Sequence, residues 1–280
     1  MGSIVWIASY PKSGNTWLRA FLHNVLHDKG GPLDLNALSK SSRSDAWRPD
    51  FERVADQPLD ELGDAGIAAL RAPVQRSLAG SGAATMLVKT HSALTRVGGK
   101  PSHATDVTAG AVYLVRDPRD VAVSYADHLA VTIDRIIEIM ATEHAHTRLD
   151  DTHVTEFPGS WSQNVATWTA SGNDRVHAVR YEDLLGDPET TFAGIMQFLG
   201  IKSDDQVFRH ALANTSFDQL SRQERDSGFI ERSHRQDQFF RAGQSGAWRQ
   251  VLTDEQSARI VADHGAQMAR FGYGNGGHDG

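Results

Sequence analysis

The chain has 280 residues, of which 40% are apolar, so it is long enough to bury a sizeable core. Its 28 basic and 35 acidic residues leave a net charge of −7, which argues against general binding to nucleic acids or anionic membranes. The lack of cysteine excludes disulfides, thiolate nucleophiles and cysteine-ligated zinc. No signal-peptide pattern and no apolar run of transmembrane length is present, so we expect a cytoplasmic protein.

The first predicted elements are a buried strand, a tight polar loop and a helix. Residues 4–8 form an unbroken apolar run, which is typical of a strand buried on both faces, and apolar residues recur at helical spacing after the loop. The N-terminus of such a helix attracts anions through its free N–H groups. Lys12 adds a full charge, Gly14 permits close backbone approach, and Ser13 and Thr16 add hydroxyl donors. The pattern therefore predicts a phosphate site.

Two further strands are predicted over residues 85–91 and 111–115. In open α/β sheets, ligands bind at the carboxyl ends of strands, so we expect Lys89 and His91 to lie near the first loop. Arg116 follows the third strand directly. A guanidinium matches phosphate bidentately, so Arg116 is a candidate phosphate ligand.

The rest of the chain alternates between helical and strand patterns. Residues 132–160 begin as a helix and then become polar, which we interpret as a mobile lid, and residues 221–240 are predicted to form a solvated loop. Thr253 and Gln256 form a capping box for a last helix. Further predicted elements are helices beginning near Pro118, Trp161 and Pro188, and a fourth strand over residues 175–184.

A metal site is conceivable from ligand type in one polar segment. His144, His146 and His153 lie near Asp150 and Asp151. The segment has no recognised ligand spacing, so we predict no metal site there.

The first loop lacks the Walker A pattern, because Lys12 precedes the only glycine of the loop. The loop sequence that begins at residue 10, Tyr-Pro-Lys-Ser-Gly-Asn-Thr-Trp, resembles the phosphosulfate-binding loop of sulfotransferases that use 3'-phosphoadenosine-5'-phosphosulfate (PAPS). Five separated segments carry this resemblance in the family's order across nearly the whole chain. They include Lys-Thr-His at residues 89–91, the segment 113–124, Tyr-Glu-Asp at residues 181–183, and Arg-x-Gly-x-x-Gly-x-Trp at residues 241–248.

The resemblance implies an α/β, three-layer P-loop-like fold with a central, mostly parallel sheet of about five strands flanked by helices. It implies one domain over residues 1–272, with a flexible glycine-rich tail over 273–280. The implied reaction is direct in-line transfer of the sulfuryl group from PAPS to a hydroxyl or amine of a small-molecule or natural-product acceptor. His91 would be the base, Lys12 would neutralise the bridging oxygen, and Lys89 would support the sulfuryl oxygens.

The same resemblance implies which residues bind PAPS or its product PAP (adenosine 3',5'-bisphosphate), without a metal. Asn15 stands where the family usually has Thr, and Ala242 stands where many relatives have Lys. The implied cofactor-binding residues are Lys12, Ser13, Gly14, Asn15, Thr16, Trp17, Arg116, Ser124, Tyr181, Thr215, Ser216, Phe217, Arg241, Ala242 and Gly243.

Two alternatives from other classes stay open at this point. One is a magnesium-dependent nucleotide or small-molecule kinase on a related fold, and the other is a nucleotide-binding protein without transfer activity. The acceptor stays open among phenols, alcohols, amines, sugars and glycopeptides, because residues 33–82 and 132–158 carry no readable motif. We expect no nucleic-acid or membrane partner, and a monomer or a weak homodimer.

Overall fold

The computed structural model describes residues 2–27, 30–80, 85–170, 172–232, 236, 238–240 and 243–274. These residues form a five-stranded sheet in the order β2-β3-β1-β6-β7, in which every neighbouring pair is parallel. A separate antiparallel hairpin joins β4 and β5. The strands are β1 (Ile4–Ser9), β2 (Ser42–Ser44), β3 (Met86–Thr90), β4 (Arg96–Val97), β5 (Lys100–Pro101), β6 (Thr108–Val115) and β7 (Val176–Arg180).

Helices cover both faces of the sheet, and alternate residues of each central strand belong to different cores. Trp6 of β1 and Tyr113 of β6 pack in one core, while Ile7 and Val112 pack in the other. The helices are α1 (Asn15–Leu26), α2 (Leu38–Ser41), α3 (Arg48–Glu52), α4 (Gly63–Gly80), α5 (Pro118–Leu129), α6 (Ile133–Ala141), α7 (Trp161–Trp168), α8 (Tyr181–Gly186), α9 (Pro188–Leu199), α10 (Asp205–Asn214), α11 (Phe217–Ser227) and α12 (Asp254–Arg270).

The first core contains residues of α4, α5, α6, α7 and α12, and the second contains residues of α1, α8, α9 and α10. The predicted α/β, three-layer architecture is therefore confirmed. The unbroken apolar runs of β1 and β6 follow from this arrangement, because each strand is buried on both faces. Within the described part of the chain, no helix combines the length and apolarity needed to cross a membrane.

Two predicted helix starts are confirmed in atomic detail. The Asp117 side chain accepts a hydrogen bond from the backbone N–H of Arg119, and Pro118 is the first residue of α5. Thr253 and Gln256 form the predicted capping box of α12. Local polar chemistry at these positions is enough to set where each helix begins.

Three predicted boundaries were wrong. The strand predicted over residues 175–184 ends at Arg180, because residues 181–186 turn into α8. The solvated loop predicted from residue 221 begins only after α11, at Gly228. Tyr273, assigned to the flexible tail, is buried, and its hydroxyl donates to Glu182 at 2.6 Å.

Candidate active site

The loop between β1 and α1 has a left-handed backbone conformation at Gly14, where glycine is favoured. Gly14 has φ +98°, and a Cβ there would lie 2.7 Å from Cδ2 of Tyr181, so only glycine fits. Lys12 also has a left-handed φ of 66°, which is uncommon for a residue with a Cβ and is found at functional sites. The first residues of α1 therefore meet the loop at the carboxyl edge of the sheet.

Lys12 places a buried ammonium group at this edge. Its Nζ has no hydrogen-bond partner among the described residues and lies 4.1 Å from the centre of the Phe239 ring. Burial, followed by the nearby Arg116, lowers the pKa of Lys12 to about 8. The ammonium is thus still charged at neutral pH, and no carboxylate of the described residues forms an ion pair with it, although Asp127 and Glu224 act on it electrostatically.

Arg116 ties the end of β6 to the loop. One terminal nitrogen donates to the carbonyl of Lys12 at 3.1 Å and the other to the carbonyl of Gln244 at 3.1 Å. The guanidinium also lies 4.3 Å from the centre of the Tyr181 ring, a cation–π geometry. Arg116 is therefore held in place, and its buried Nε–H group has no partner among the described residues.

His91 lies beside the end of β1, as the sequence predicts. Its Nδ1 is 2.9 Å from the carbonyl oxygen of Ser9, which can only accept, so Nδ1 carries the proton and Nε2 keeps a lone pair. Asn164 of α7 donates to the backbone carbonyl of His91 at 2.9 Å. Burial, followed by the charge of Lys89, lowers the pKa of His91 to about 4, so the ring is a neutral base at pH 7.

Lys89, Glu231 and Arg19 form a charge network that could not be predicted from the sequence. The Nζ of Lys89 is 4.0 Å from Glu231, and Arg19 makes a bidentate pair with the same carboxylate at 2.8 and 3.0 Å. Burial alone would raise the pKa of Glu231, but Lys89 and Arg19 lower it to about 2. Glu231 therefore holds both cations in place.

Aromatic side chains stand beside the charged groups. Trp17 lies edge-on to Tyr181, with ring centroids 5.9 Å apart. Gly243 packs directly on Phe217, since a Cβ on this glycine would lie 2.3 Å from Cδ2 of the ring. The planar faces of Trp17 and Phe217 could accommodate a flat heterocycle.

Two cavities meet at this edge. The small cavity, of about 130 Å³, is lined by residues that include Gly14, Trp17, Arg116, Ser124 and Phe217. The large cavity, of about 990 Å³, is lined by residues that include Arg19, Lys89 and Glu231. Among the described residues, those that line both are Lys12, Thr16, His91 and Phe239.

Some predicted site residues lie elsewhere. The Thr215 side chain is buried and donates to the carbonyl of Ala211 at 2.7 Å, and neither Thr215 nor Ser216 lines the small cavity. The Ser13 hydroxyl is buried without a partner among the described residues and does not line that cavity either. Arg241 and Ala242, predicted to hold a phosphate, lie outside the described residues.

Asn15 lines the small cavity, but its side-chain amide points back toward β1. Its Nδ2 donates to the carbonyl of Ile7 at 2.9 Å and to Ser9 Oγ at 3.3 Å. The amide therefore holds the loop against the strand, and the binding of the cofactor by Asn15 stays a prediction.

Two groups of positioning residues had no sequence signal. Asp120 accepts from the backbone N–H groups of Gly246 and Trp248, at 2.6 and 3.0 Å, and so holds the last loop over the small cavity. The fully buried Asp45 accepts from Thr90 Oγ1 at 3.1 Å, next to His91. Only the fold brings these distant segments together.

Comparison with known proteins identifies the class. Residues 3–272 match the sulfotransferase domain family, so the chain belongs to that family. Sulfotransferase 1A1 of Bos taurus is 27% identical over 274 residues, covering 94% of this chain and 82% of that protein. The Canis lupus familiaris protein of the same name is 27% identical over 278 residues, covering 95% and 83%. The prediction of a sulfotransferase is confirmed, and the kinase alternative has no support.

Solved structures share the fold. Mouse sulfotransferase SULT7A1 complexed with PAP superposes with a TM-score of 0.62 and 20% identity, covering 95% of this chain and 84% of that chain. Retinol dehydratase in a complex with retinol and PAP gives a TM-score of 0.63 and 21% identity, covering 95% and 81%. These structures confirm the predicted fold.

Proposed function

We propose that this sulfotransferase moves the sulfuryl group of PAPS onto a hydroxyl or amine of a small molecule, by direct in-line transfer. The observation that carries the proposal is the wall shared by the two cavities. Both Lys12 and His91 line that wall: Lys12 is a buried cation without a hydrogen-bond partner among the described residues, and His91 is a neutral base. Transfer between a nucleotide on one side and an acceptor on the other needs both groups at this place.

The reaction would begin on the acceptor side. The acceptor oxygen or nitrogen attacks sulfur, and its proton passes to Nε2 of His91, which is free because Nδ1 faces the Ser9 carbonyl. The bond between sulfur and the bridging oxygen breaks, and PAP leaves. Lys12 would neutralise the charge that develops on this oxygen, and Lys89 would support the sulfuryl oxygens. The scheme requires no metal, because these cations supply the positive charge.

The small cavity would hold the nucleotide. Arg116 and Ser124 would bind the 3'-phosphate, and the N-terminus of α1 would bind the 5'-phosphate. Trp17, Tyr181 and Phe217 would surround the adenine. The PAP complexes of similarly folded proteins support this assignment.

Nucleotide binding would move the aromatic residues that cover Lys12. The cavity of about 130 Å³ is smaller than the roughly 300–1,000 Å³ of ordinary ligand pockets. The Phe239 ring faces the ammonium that the nucleotide would contact, and Phe240 lines the same cavity. We therefore expect PAP to displace Phe239 from Lys12.

The large cavity would hold the acceptor. Its volume of about 990 Å³ is at the upper end of the range for small-molecule pockets, roughly 300–1,000 Å³. Retinol dehydratase has been solved with retinol and with androsterone, which supports a small-molecule acceptor here. We further propose that the protein acts in the cytoplasm as a single domain that spans residues 1–272 and the packed Tyr273, as a monomer or weak homodimer, without nucleic-acid or membrane partners.

Calorimetry with PAP and with ADP, both in EDTA, tests the donor class. We expect tight binding of PAP and weak binding of ADP, because only PAP carries the phosphate that Arg116 would bind. Transfer of sulfate from PAPS to an acceptor panel should then also proceed in EDTA. If PAP failed to bind while ADP bound with magnesium, the proposal would be wrong and a kinase would replace it.

A further inference from the structure

Glu156 is a carboxylate of the large cavity that the proposed transfer does not use. Its backbone is clamped to Thr147, with the Glu156 N–H donating to Thr147 Oγ1 at 2.8 Å and the Thr147 N–H donating to the Glu156 carbonyl at 2.9 Å. The neighbouring Thr155 and Phe157 side chains are buried. The position of Glu156 in the cavity wall is therefore well determined.

One oxygen of the Glu156 carboxylate has no hydrogen-bond partner among the described residues. This oxygen, Oε1, is buried. Burial raises the pKa of Glu156, but His91 and His153, which act only while their rings are protonated, and the permanent charges of Lys89 and Arg71 lower it below the ordinary value, so the group is ionised at neutral pH. Glu231 in the same cavity differs, because Arg19 satisfies its carboxylate at both oxygens.

We propose that Glu156 accepts a hydrogen bond from a second donor group of the acceptor, so that the preferred acceptors carry a hydroxyl or ammonium group besides the group that is sulfated. This inference rests on the proposed function, since it places the acceptor in the large cavity beside His91. A buried carboxylate with an unused oxygen requires a donor once the ligand excludes water. An acceptor without such a donor would leave the oxygen unpaired.

The rest of the wall combines apolar surface with scattered polar groups, which fits an acceptor with an apolar body and a few polar groups. Most of its members can donate or accept hydrogen bonds, and only a minority are purely apolar. The polar members without a role in the proposed transfer include Ser42, Ser44, His128, Thr147, Thr152 and His153.

Two matched sets of acceptors test the proposal. In each set the molecules have a similar length and differ only in the terminal group: 4-ethylphenol, tyrosol and tyramine, and hexanol, hexanediol and aminohexanol. We expect kcat/KM of the parent protein to be at least about tenfold higher for the donor-bearing members of a set, because a site built to pair a donor rejects analogues that lack it.

Substitutions at Glu156 separate recognition from a structural role. Glu156→Leu should abolish the preference by lowering kcat/KM for donor-bearing acceptors while sparing the hydrocarbon member. Glu156→Gln should keep the preference for the hydroxyl member, because the amide oxygen still accepts a hydrogen bond, and should lower kcat/KM for the ammonium member, because the attraction between opposite charges is lost. The matched control Glu143→Leu, at an exposed glutamate, should keep the parental preference. A purely structural role would lower all members of a set equally.

Calorimetry with PAP distinguishes the two ways in which the experiment can fail. A parent protein that does not bind PAP would contradict the proposed function. A parent protein that binds PAP and turns over hydrocarbon and donor-bearing acceptors equally, or turns over none of the donor-bearing ones, would overturn the role of Glu156. So would a preference that survives in Glu156→Leu.

Discussion

The two cavities differ in how their walls are made. The small cavity takes part of its wall from the carboxyl ends of strands, because His91 directly follows β3, Arg116 follows β6 and Tyr181 follows β7, while Gly14 belongs to the loop after β1. The large cavity draws much of its wall from segments without regular structure, including 147–156 and 230–232. A phosphate is recognised by backbone geometry and fixed charge, which strand ends supply. An acceptor needs a surface of particular shape, which loops can vary.

The cavities also differ in electrostatics. In the small cavity the carboxylate of Asp120 already accepts from two backbone N–H groups, and neither Lys12 nor Arg116 forms an ion pair with a described residue. In the large cavity, Lys89 lies close to Glu231 and within electrostatic reach of Glu156. The first arrangement suits a highly charged anion, and the second suits a ligand with hydrogen-bonding groups.

His91→Gln should lower kcat more than any other substitution considered, because His91 lines both cavities and is the proposed general base. We expect kcat to fall by about 10²–10⁴-fold, the usual contribution of a general base. PAP affinity should stay close to that of the parent. The exposed His27→Gln is the matched control, and steady-state sulfate transfer is the measurement. Near-normal turnover in His91→Gln would show that His91 is not the general base.

Lys12→Met should cause the second largest loss of kcat, since the ammonium lies on the same wall and would stabilise the departing phosphate. We expect kcat to fall by about 10²–10³-fold, as for the loss of one preorganised electrostatic contact. The exposed Lys100→Met should behave as the parent. Single-turnover kinetics with saturating PAPS would separate this loss from weaker binding. A change in acceptor KM alone would assign Lys12 to the large cavity.

Arg116→Ala should act on one cavity only, because Arg116 lines the small cavity and is not among the residues around the large one. Loss of a charge-assisted contact of about 1.5–3 kcal/mol should weaken PAP binding by roughly tenfold to a hundredfold. The exposed Arg135→Ala is the control. Calorimetry would measure the affinities. An unchanged PAP affinity would contradict the assignment of the 3'-phosphate to Arg116.

The change of the rate with pH should be the smallest of these effects near neutral pH. His91 must be deprotonated, so the rate rises with pH through its pKa of about 4. Lys12 must be protonated, so the rate falls above its pKa of about 8, by about tenfold per pH unit. We expect a plateau between these values in kcat/KM for PAPS. In Lys12→Met the fall above pH 8 should disappear, and its persistence would mean that another group causes it.

The sequence predicted the elements whose patterns are local. The apolar runs of β1, β3 and β6 indicated strands, and Asp117 with Pro118 indicated the start of α5. The strand β2 (Ser42–Ser44) was missed, because three polar residues carry no apolar signal and become a strand only by pairing with β3. Residues 181–184 were predicted as strand for a related reason, since turn formation after Arg180 depends on packing rather than on periodicity.

The candidate site divides in the same way. The sequence by itself indicated a phosphate loop, a base candidate and an arginine at strand ends, because each depends on a short motif and on the rule that ligands meet parallel sheets at their carboxyl edge. The tertiary structure decided which partners these groups have. Glu231 beside Lys89, Asp120 beneath the last loop and the unpartnered Glu156 lie far along the chain from the groups they face. Contacts of that kind depend on how the chain packs, which no local spacing encodes.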